Sequence, residues 1–479
     1  MPSLHAGQLA LAEPPIEAPV PIRSDLVIVS NRLPMRRIRR GGREVWDTSP
    51  GGLVSALRPI LRERESTWVG WLGQGGAARR PFTHDHIHSV PVGLDDHDIE
   101  LFYEGFSNRT LWPLYHDAVR PPEYERRWWR RYVEVNARFA RAAAMQAADG
   151  GAVWVHDYQL QLVPAMLREL RPDLRIGFFL HIPFPPHELF AQLPWRGEII
   201  RGLLGADVVG FQTTFGARNF ARLARRYAGA AGRSTMLRHD GRMVRVDGFP
   251  ISIDVEQIER LAAEEDVHRR TEAYREQLGA HRRILLGVDR LDYTKGIDIR
   301  LKAYHELLKS GRLSPRECVM VQVAVPSRQG VEEYQELRAA VERQVGEING
   351  EFGELGSAAV HYLHRSLPLD ELVALYRAAD VMLITPFRDG MNLVAKEYCA
   401  ARTDLRGALV LSEFTGAARE LRAALQINPH DLDGMESTIE RAVHMPPAEQ
   451  ARRMRTLRSV IRHHDVHDWA RSFFKALTA

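Results

Sequence analysis

Short runs of aliphatic and β-branched residues alternate with longer amphipathic stretches along almost the whole chain, and this alternation restricts the fold more than any other feature. A run without polar alternation, such as 26–29 or 284–288, fits a strand buried on both faces. Where each run leads through a loop into a helical pattern, the strands lie parallel and helices cover both faces of the sheet. The pattern predicts strands at 26–29, 153–155, 175–180, 208–211 and 243–246 for a first sheet. It predicts a second sheet from 284–288, 318–325, 360–363, 381–384 and 409–411. Helical periodicity is clearest over 160–170 and 331–348, and one charged helix is expected over 255–277.

The chain has 479 residues, more than one hydrophobic core usually supports, so two domains are expected. A strand ends near Pro250 and the charged helix follows, which places the domains at 25–254 and 255–460 with a hinge between about 254 and 282. Residues 1–24, with Pro14, Pro15, Pro19 and Pro21, have neither the basic start nor the apolar core of a signal peptide and read as a disordered lead-in. Open α/β sheets bind ligands outside the carboxyl ends of their strands, so the strand-to-helix loops are where chemistry is expected.

Composition excludes several classes of function. No run reaches the roughly 18 consecutive apolar residues of a membrane helix, and the expectation is a soluble cytoplasmic protein. A formal net charge of +4 argues against a nucleic-acid partner. Only Lys295, Lys302, Lys309, Lys396 and Lys475 among the 65 cationic residues are lysine. Cys318 and Cys399 sit in apolar patterns and are expected in the core, not in a disulfide. Neither HExxH nor GxSxG occurs, and HDHIH at 84–88 has no second cluster beside it, so no metal site is expected and that segment reads as a surface loop.

Five strand-to-helix loops carry the candidate residues. The first holds Ser30, Asn31 and Arg32, then Gly51 and Gly52 before a helix from Leu53, where backbone N–H groups can approach a phosphate or simply make a turn. His156 and Asp157 follow the run 152–155, and His181 follows 175–180 ahead of the rigid Pro183, Pro185 and Pro186. Arg290 and Lys295, with Gly296, form either a diphosphate clamp or two ion pairs with Asp289 and Asp292. Asp389 and Gly390 make a turn before a helix from Asn392, in which Glu397 can accept from the two hydroxyls of a ribose or face solvent.

Ten blocks occur in the order found in one family: VSNRLP, SPGGLVSAL, WVGW, YEGFSNRTLWPLYH, HDYQLQLVP, GFFLHIPFPP, GFQT, GVDRLDYTKGID, RDGMNLVAKEY and LVLSEFTGAA. From Leu26 to the last helix the chain resembles the trehalose-6-phosphate synthases, of actinobacterial type. The resemblance implies two facing Rossmann-like doubly wound domains of the GT-B architecture, with the acceptor on the first and the nucleotide sugar on the second. It implies that residues 461–479, with Trp469, Phe473 and Phe474, cross back to the first domain. It also implies transfer of glucose from a nucleoside-diphosphate glucose to glucose 6-phosphate, with retention, without metal or cofactor, in a homo-oligomer.

Carried onto this chain, the resemblance gives Arg32, Tyr103, Trp112 and Arg328 to the acceptor phosphate, Asp157 and Gln212 to the acceptor sugar, and Trp71 to the lining of its site. Gly52, Arg290 and Lys295 hold the donor diphosphate, on the domain opposite Arg328. His181, Asp389 and the backbone of Met391, Asn392 and Leu393 grip the transferred glucose, and Glu397 holds the ribose. Arg290, Lys295, His181 and Asp389 are the residues expected to act in the chemistry. Uracil and guanine both stay open as the donor base, and the arginine-rich loop at 36–43 has no assigned role. No phosphatase-like segment follows, so the product is expected to keep its phosphate. The rivals are a pseudo-glycosyltransferase joining cyclitols, a silent sugar-phosphate sensor, and a phosphorylase with pyridoxal phosphate on Lys295 or Lys396.

Overall fold

Val27 and Val29 face one hydrophobic core while Leu26 and Ile28, between and beside them, face another, so strand β1 (Ser24–Arg32) is buried on both sides. A continuous apolar run is what such a position needs. The computed structural model describes residues 23–40, 43–48, 57, 66–76, 80–84, 86–233, 235–328 and 330–479, with the backbone alone for 36–48. Gly51, Gly52 and Leu53 lie outside the described residues.

The first sheet continues with β2 (Ser66–Trp71), β3 (Ile87–Pro91), β4 (Ala147–His156), β5 (Arg175–Leu180), β6 (Val208–Phe211) and β7 (Arg242–Gly248). These seven are parallel in the order β7-β6-β5-β4-β1-β2-β3, with short antiparallel strands at both edges. The second sheet holds β8 (Arg283–Arg290), β9 (Cys318–Val325), β10 (Val360–Leu363), β11 (Val381–Ile384), β12 (Ala408–Ser412) and β13 (Leu425–Ile427). All are parallel, in the order β10-β9-β8-β11-β12-β13. In each sheet the winding reverses beside the first strand, between β1 and β4 and between β8 and β11. Loops leave those strand pairs in opposite directions, and a crevice opens at their carboxyl ends. Arg32, His156 and Asp157 stand at the first reversal, and Arg290 with the loop after β11 at the second.

The sequence pattern misses β2, β3 and β13. Buried Ser66, Thr67 and Ser89 interrupt the apolar runs of β2 and β3: Thr67 Oγ1 lies 2.7 Å from Ser24 Oγ, while the hydroxyls of Ser66 and Ser89 have no partner among the described residues. The charged helix expected at 255–277 is two helices, Val255–Ala263 and Glu265–Gln277, because Glu264 is extended with φ −69° and ψ 136°. The segment Ile99–Leu111 is a π-helix, a winding that no periodicity argument looks for. His84 and His88 sit on an edge hairpin of the first sheet.

The last helix (Val466–Thr478) lies on the first sheet. Phe473 stacks on Trp154 with ring centroids 4.4 Å apart and reaches between Gly177 and Gly210, where a Cβ would come within 2.7 and 2.8 Å of its ring. Trp469 packs on Trp154 at 5.0 Å and on Phe179 at 5.2 Å. Cys318 and Cys399 are free and buried. No described helix is long and apolar enough to cross a membrane.

Candidate functional site

Arg32 leaves β1 exposed, and its guanidinium lies 4.0 Å from the ring centre of Trp71 and 5.5 Å from that of Tyr103. Trp71 is held at the end of β2 by an Nε1 bond to the Gln74 carbonyl at 2.8 Å. The π-helix turns Tyr103 edge-on to it at 5.7 Å and ends at Trp112. Trp112 is covered by two more guanidinia, Arg328 at 3.8 Å and Arg290 at 5.2 Å, and its buried Nε1 has no partner among the described residues. Burial raises the Tyr103 hydroxyl, but Arg32, Arg328 and Arg290 outweigh it and bring the pKa below the ordinary value. Three cations thus converge on one aromatic floor, an arrangement suited to a dianionic ligand.

The carboxylates beside Arg290 and Lys295 are committed elsewhere. Asp289 pairs with fully buried Arg300 at 2.6 Å. Asp292 accepts from Arg328 at 2.6 Å, Thr294 Oγ1 at 2.8 Å and Tyr334 at 3.1 Å. Burial opposes the Asp292 charge, yet Arg328, Arg290 and Lys295 hold its pKa well below the usual carboxylate range. Lys295 reaches instead to Asp389 at 2.6 Å. The pairing of Arg290 and Lys295 with Asp289 and Asp292 is therefore not made, and exposed Arg290 has no carboxylate partner among the described residues. Gly296 turns the chain with φ 61°, and a Cβ there would sit 2.3 Å from the Thr385 carbonyl oxygen.

Arg328 corrects the expected division of the site. It follows β9 and so rises from the same sheet as Arg290 and Lys295, not the opposite one. Its φ of 45° is in the left-handed region, and its Nη2 donates across to the Tyr158 hydroxyl of the first-sheet side at 3.1 Å. A second link crosses between Arg388 and Asp117 at 3.3 Å.

Asp157 follows β4 with φ 76° and accepts the His181 N–H at 3.3 Å. Burial lifts its pKa to about 6, moderated by the N–H groups of Tyr158 and His181 and by Arg290 and Arg328. Burial likewise lowers His181 to about 3 and His116, 4.1 Å from Trp112, to about 3, so both rings are neutral. Gln212 is used at both ends, donating to the His181 carbonyl at 3.3 Å and accepting from the Ile251 N–H at 3.0 Å.

Gly390 abuts this loop so closely that a Cβ would lie 2.1 Å from the His181 carbonyl oxygen. Met391 is buried behind it. Asn392, with φ 83°, caps the helix Leu393–Ala401 by accepting from Ala395 N at 3.1 Å and donates to Asp389 at 3.2 Å. Glu397 accepts from the Tyr376 hydroxyl at 2.9 Å, and burial raises its pKa. Lys396 is buried between Glu420 at 2.7 Å and the Ile251 carbonyl at 2.8 Å, and Lys295 faces Asp389, so neither amine is free as a Schiff base requires. Among the described residues no group of three His, Cys, Asp or Glu is placed to hold a metal.

Sequence reasoning passed over Tyr158, Tyr334 and His116. Tyr334 lies inside a helical pattern where a tyrosine reads as core, and Tyr158 and His116 have meaning only once Arg328 and Trp112 are placed beside them.

Comparison with known proteins gives the family and the fold. The model of glycosyltransferase family 20 matches residues 24–479. A trehalose-6-phosphate synthase of Mycobacterium avium (strain 104) is 57% identical over 468 residues, 95% of this chain and 95% of that protein. One from Mycobacterium leprae (strain TN) is 56% identical over 470 residues, covering 95% and 94%. A UDP-forming synthase of Burkholderia xenovorans, solved in complex with glucose-6-phosphate, has a TM-score of 0.88 at 34% identity over 95% of this chain and 100% of that one. The E. coli protein bound with UDP-2-fluoro glucose has a TM-score of 0.86 at 33% identity, covering 94% and 98%. The fold class thus holds, and the chain belongs to glycosyltransferase family 20, among the trehalose-6-phosphate synthases.

Proposed function

We propose that this glycosyltransferase moves glucose from UDP-glucose to glucose 6-phosphate with retention at the anomeric carbon. The observation that carries the reading is exposed Arg290, which has no carboxylate partner among the described residues and stands near Lys295 at the switch point of the second sheet. An unneutralised arginine at that place calls for an anionic group, and a diphosphate supplies one. The UDP-forming relative and the E. coli protein with a UDP-glucose analogue support uracil as the base.

In this reading Arg32, Tyr103, Trp112 and Arg328 take the acceptor phosphate, with Trp71 lining its site, and Asp157 takes the acceptor sugar while Gln212 fixes the loop around it. Arg290 and Lys295, with Gly52, take the diphosphate. His181, Asp389, Met391, Asn392 and Leu393 hold the glucose, and Glu397 the ribose. The bond from the anomeric carbon to the diphosphate oxygen breaks, the acceptor hydroxyl forms the new bond on the same face, and its proton passes to the departing phosphate. Arg290 and Lys295 stabilise the charge that builds on that oxygen. Residues 25–254 and 255–460 act as the two domains, with 461–479 returning to the first, and their closure excludes water.

A panel of nucleoside-diphosphate glucoses at constant glucose 6-phosphate tests the reading, with product configuration read by NMR. UDP-glucose should give the highest kcat/KM. Transfer from GDP-glucose alone would overturn the choice of base, and no diphosphate release with any donor would favour a silent sensor.

A further inference from the structure

His156 ends β4, fully buried, and the reaction above gives it no part. Its Nδ1 lies 3.1 Å from Nε2 of His181, with ring centroids 5.3 Å apart. Burial drives both rings to the neutral form, and His181 further opposes charge on His156. Two neutral imidazoles joined in this way share a single proton, so one donates and the other accepts.

The far side of His156 decides which. Its Nε2 is buried without a partner among the described residues, and so are Nε1 of Trp154 and Nε1 of Trp469. Trp154 packs on His156 at 4.6 Å, Phe179 at 6.5 Å, and Trp469 closes the cluster 5.0 Å from Trp154 and 6.3 Å from His181. An indole nitrogen donates and never accepts. A lone pair on His156 Nε2 complements these donors through a bridging water, whereas the cluster offers an N–H there no acceptor. The proton of His156 therefore sits on Nδ1 and is donated to His181 Nε2. His181 must then carry its own proton on Nδ1, the ring nitrogen that has no protein partner among the described residues.

We propose that His156 is a positioning residue that fixes His181 as a hydrogen-bond donor through Nδ1, so that the site presents a sugar oxygen with an N–H and not a lone pair. The proposal rests on His181 gripping the transferred glucose. It fits the other residue given to that sugar: ionised Asp389 only accepts, so a donor at His181 lets the pair hold sugar hydroxyls from both ends.

Ring ¹⁵N resonances of the ¹⁵N-histidine-labelled full chain, with His181→Gln to assign the signals, read the tautomer directly. His181 should be protonated on Nδ1 and bare on Nε2. His156→Leu should release that tautomer and lower kcat roughly tenfold or more, as loss of an aligned donor does, with KM for glucose 6-phosphate little changed. His156→Asn, whose amide places a donor near the position of Nδ1, should restore both. A His181 proton on Nε2 in the wild type overturns the proposal, as does a Leu variant with unchanged tautomer and kcat. If the Leu variant does not fold, the wild-type spectrum still decides. The spectrum needs no turnover, so a chain inactive with every donor would sink the proposed reaction and leave the tautomer assignment to stand or fall by itself.

Discussion

Arg328 and Asp292 form a 2.6 Å ion pair whose side chains are only 3% and 0% exposed, and it ties the Trp112 and Tyr158 side of the site to the loop that carries Lys295. Arg328 faces Trp112 and Tyr158 with the same guanidinium that neutralises Asp292.

Arg328→Ala therefore leaves a buried carboxylate without its ion pair as well as removing the proposed phosphate ligand. Breaking one half of a buried pair costs about 3–5 kcal/mol, and the variant should unfold at clearly lower urea concentration. Donor affinity should fall along with acceptor affinity, because the Asp292 loop relaxes. Wild-type donor binding in a folded Arg328→Ala protein, measured by calorimetry, would show that the two sides are uncoupled.

Arg290→Ala should behave in the opposite way. The side chain is exposed and leaves no carboxylate unpaired, so unfolding should shift by no more than about 0.5 kcal/mol. Loss of a charged hydrogen bond to the diphosphate is worth about 1.5–3 kcal/mol, so transfer should slow at least roughly tenfold. Wild-type turnover would remove Arg290 from the donor site.

Asp157 sets a pH dependence with a definite sign. Its folded pKa, about 6, lies above the usual aspartate value of 3.8, so between those values the folded state binds more protons than the unfolded one. Its contribution to stability is full below about 4 and declines as pH rises toward 6. If the carboxylate accepts from the acceptor sugar, kcat/KM for glucose 6-phosphate should rise through about pH 6 and level off above it. Asp157→Asn should lower activity and erase that inflection; an unchanged profile would give the titration to another group.

Gly177→Ala tests the seating of the last helix. The new methyl would come within 2.7 Å of the Phe473 ring, and overpacking of that kind costs about 1–3 kcal/mol. Phe473→Leu in the same chain should recover part of the loss, read as a double-mutant cycle in urea. Strictly additive effects would mean that the two residues do not meet.

Chelation gives a simpler test. Transfer should survive excess EDTA, because Arg290 and Lys295 supply the charge that a metal would bring. Loss of activity restored by magnesium or manganese would reveal a metal site.

Strand positions were most legible where burial on both faces favours apolar runs, as at 208–211 and 381–384; 175–180, 318–325 and 360–363 are also read from the sequence with the bounds they have in the fold, although Arg175, Gln322, His361 and Tyr362 fall within them. The same rule passes over β2 and β3, where buried Ser66, Thr67 and Ser89 break the apolar run; Thr67 is met by Ser24 of a neighbouring strand, and no local pattern records such a partner. Loops at the carboxyl ends were likewise legible as places for chemistry, and the ordered blocks carried the family. Which carboxylate neutralises which cation was decided by tertiary structure alone. Asp289 and Asp292 adjoin Arg290 in sequence, but Arg300 and Arg328 reach them from the helix after β8 and from the loop after β9, and so Arg290 has no carboxylate partner among the described residues. The tautomer of His181 is set in the same non-local way, by residues from β4 and from the last helix of the chain, because a hydrogen bond depends on distance and direction in space and not on separation along the sequence.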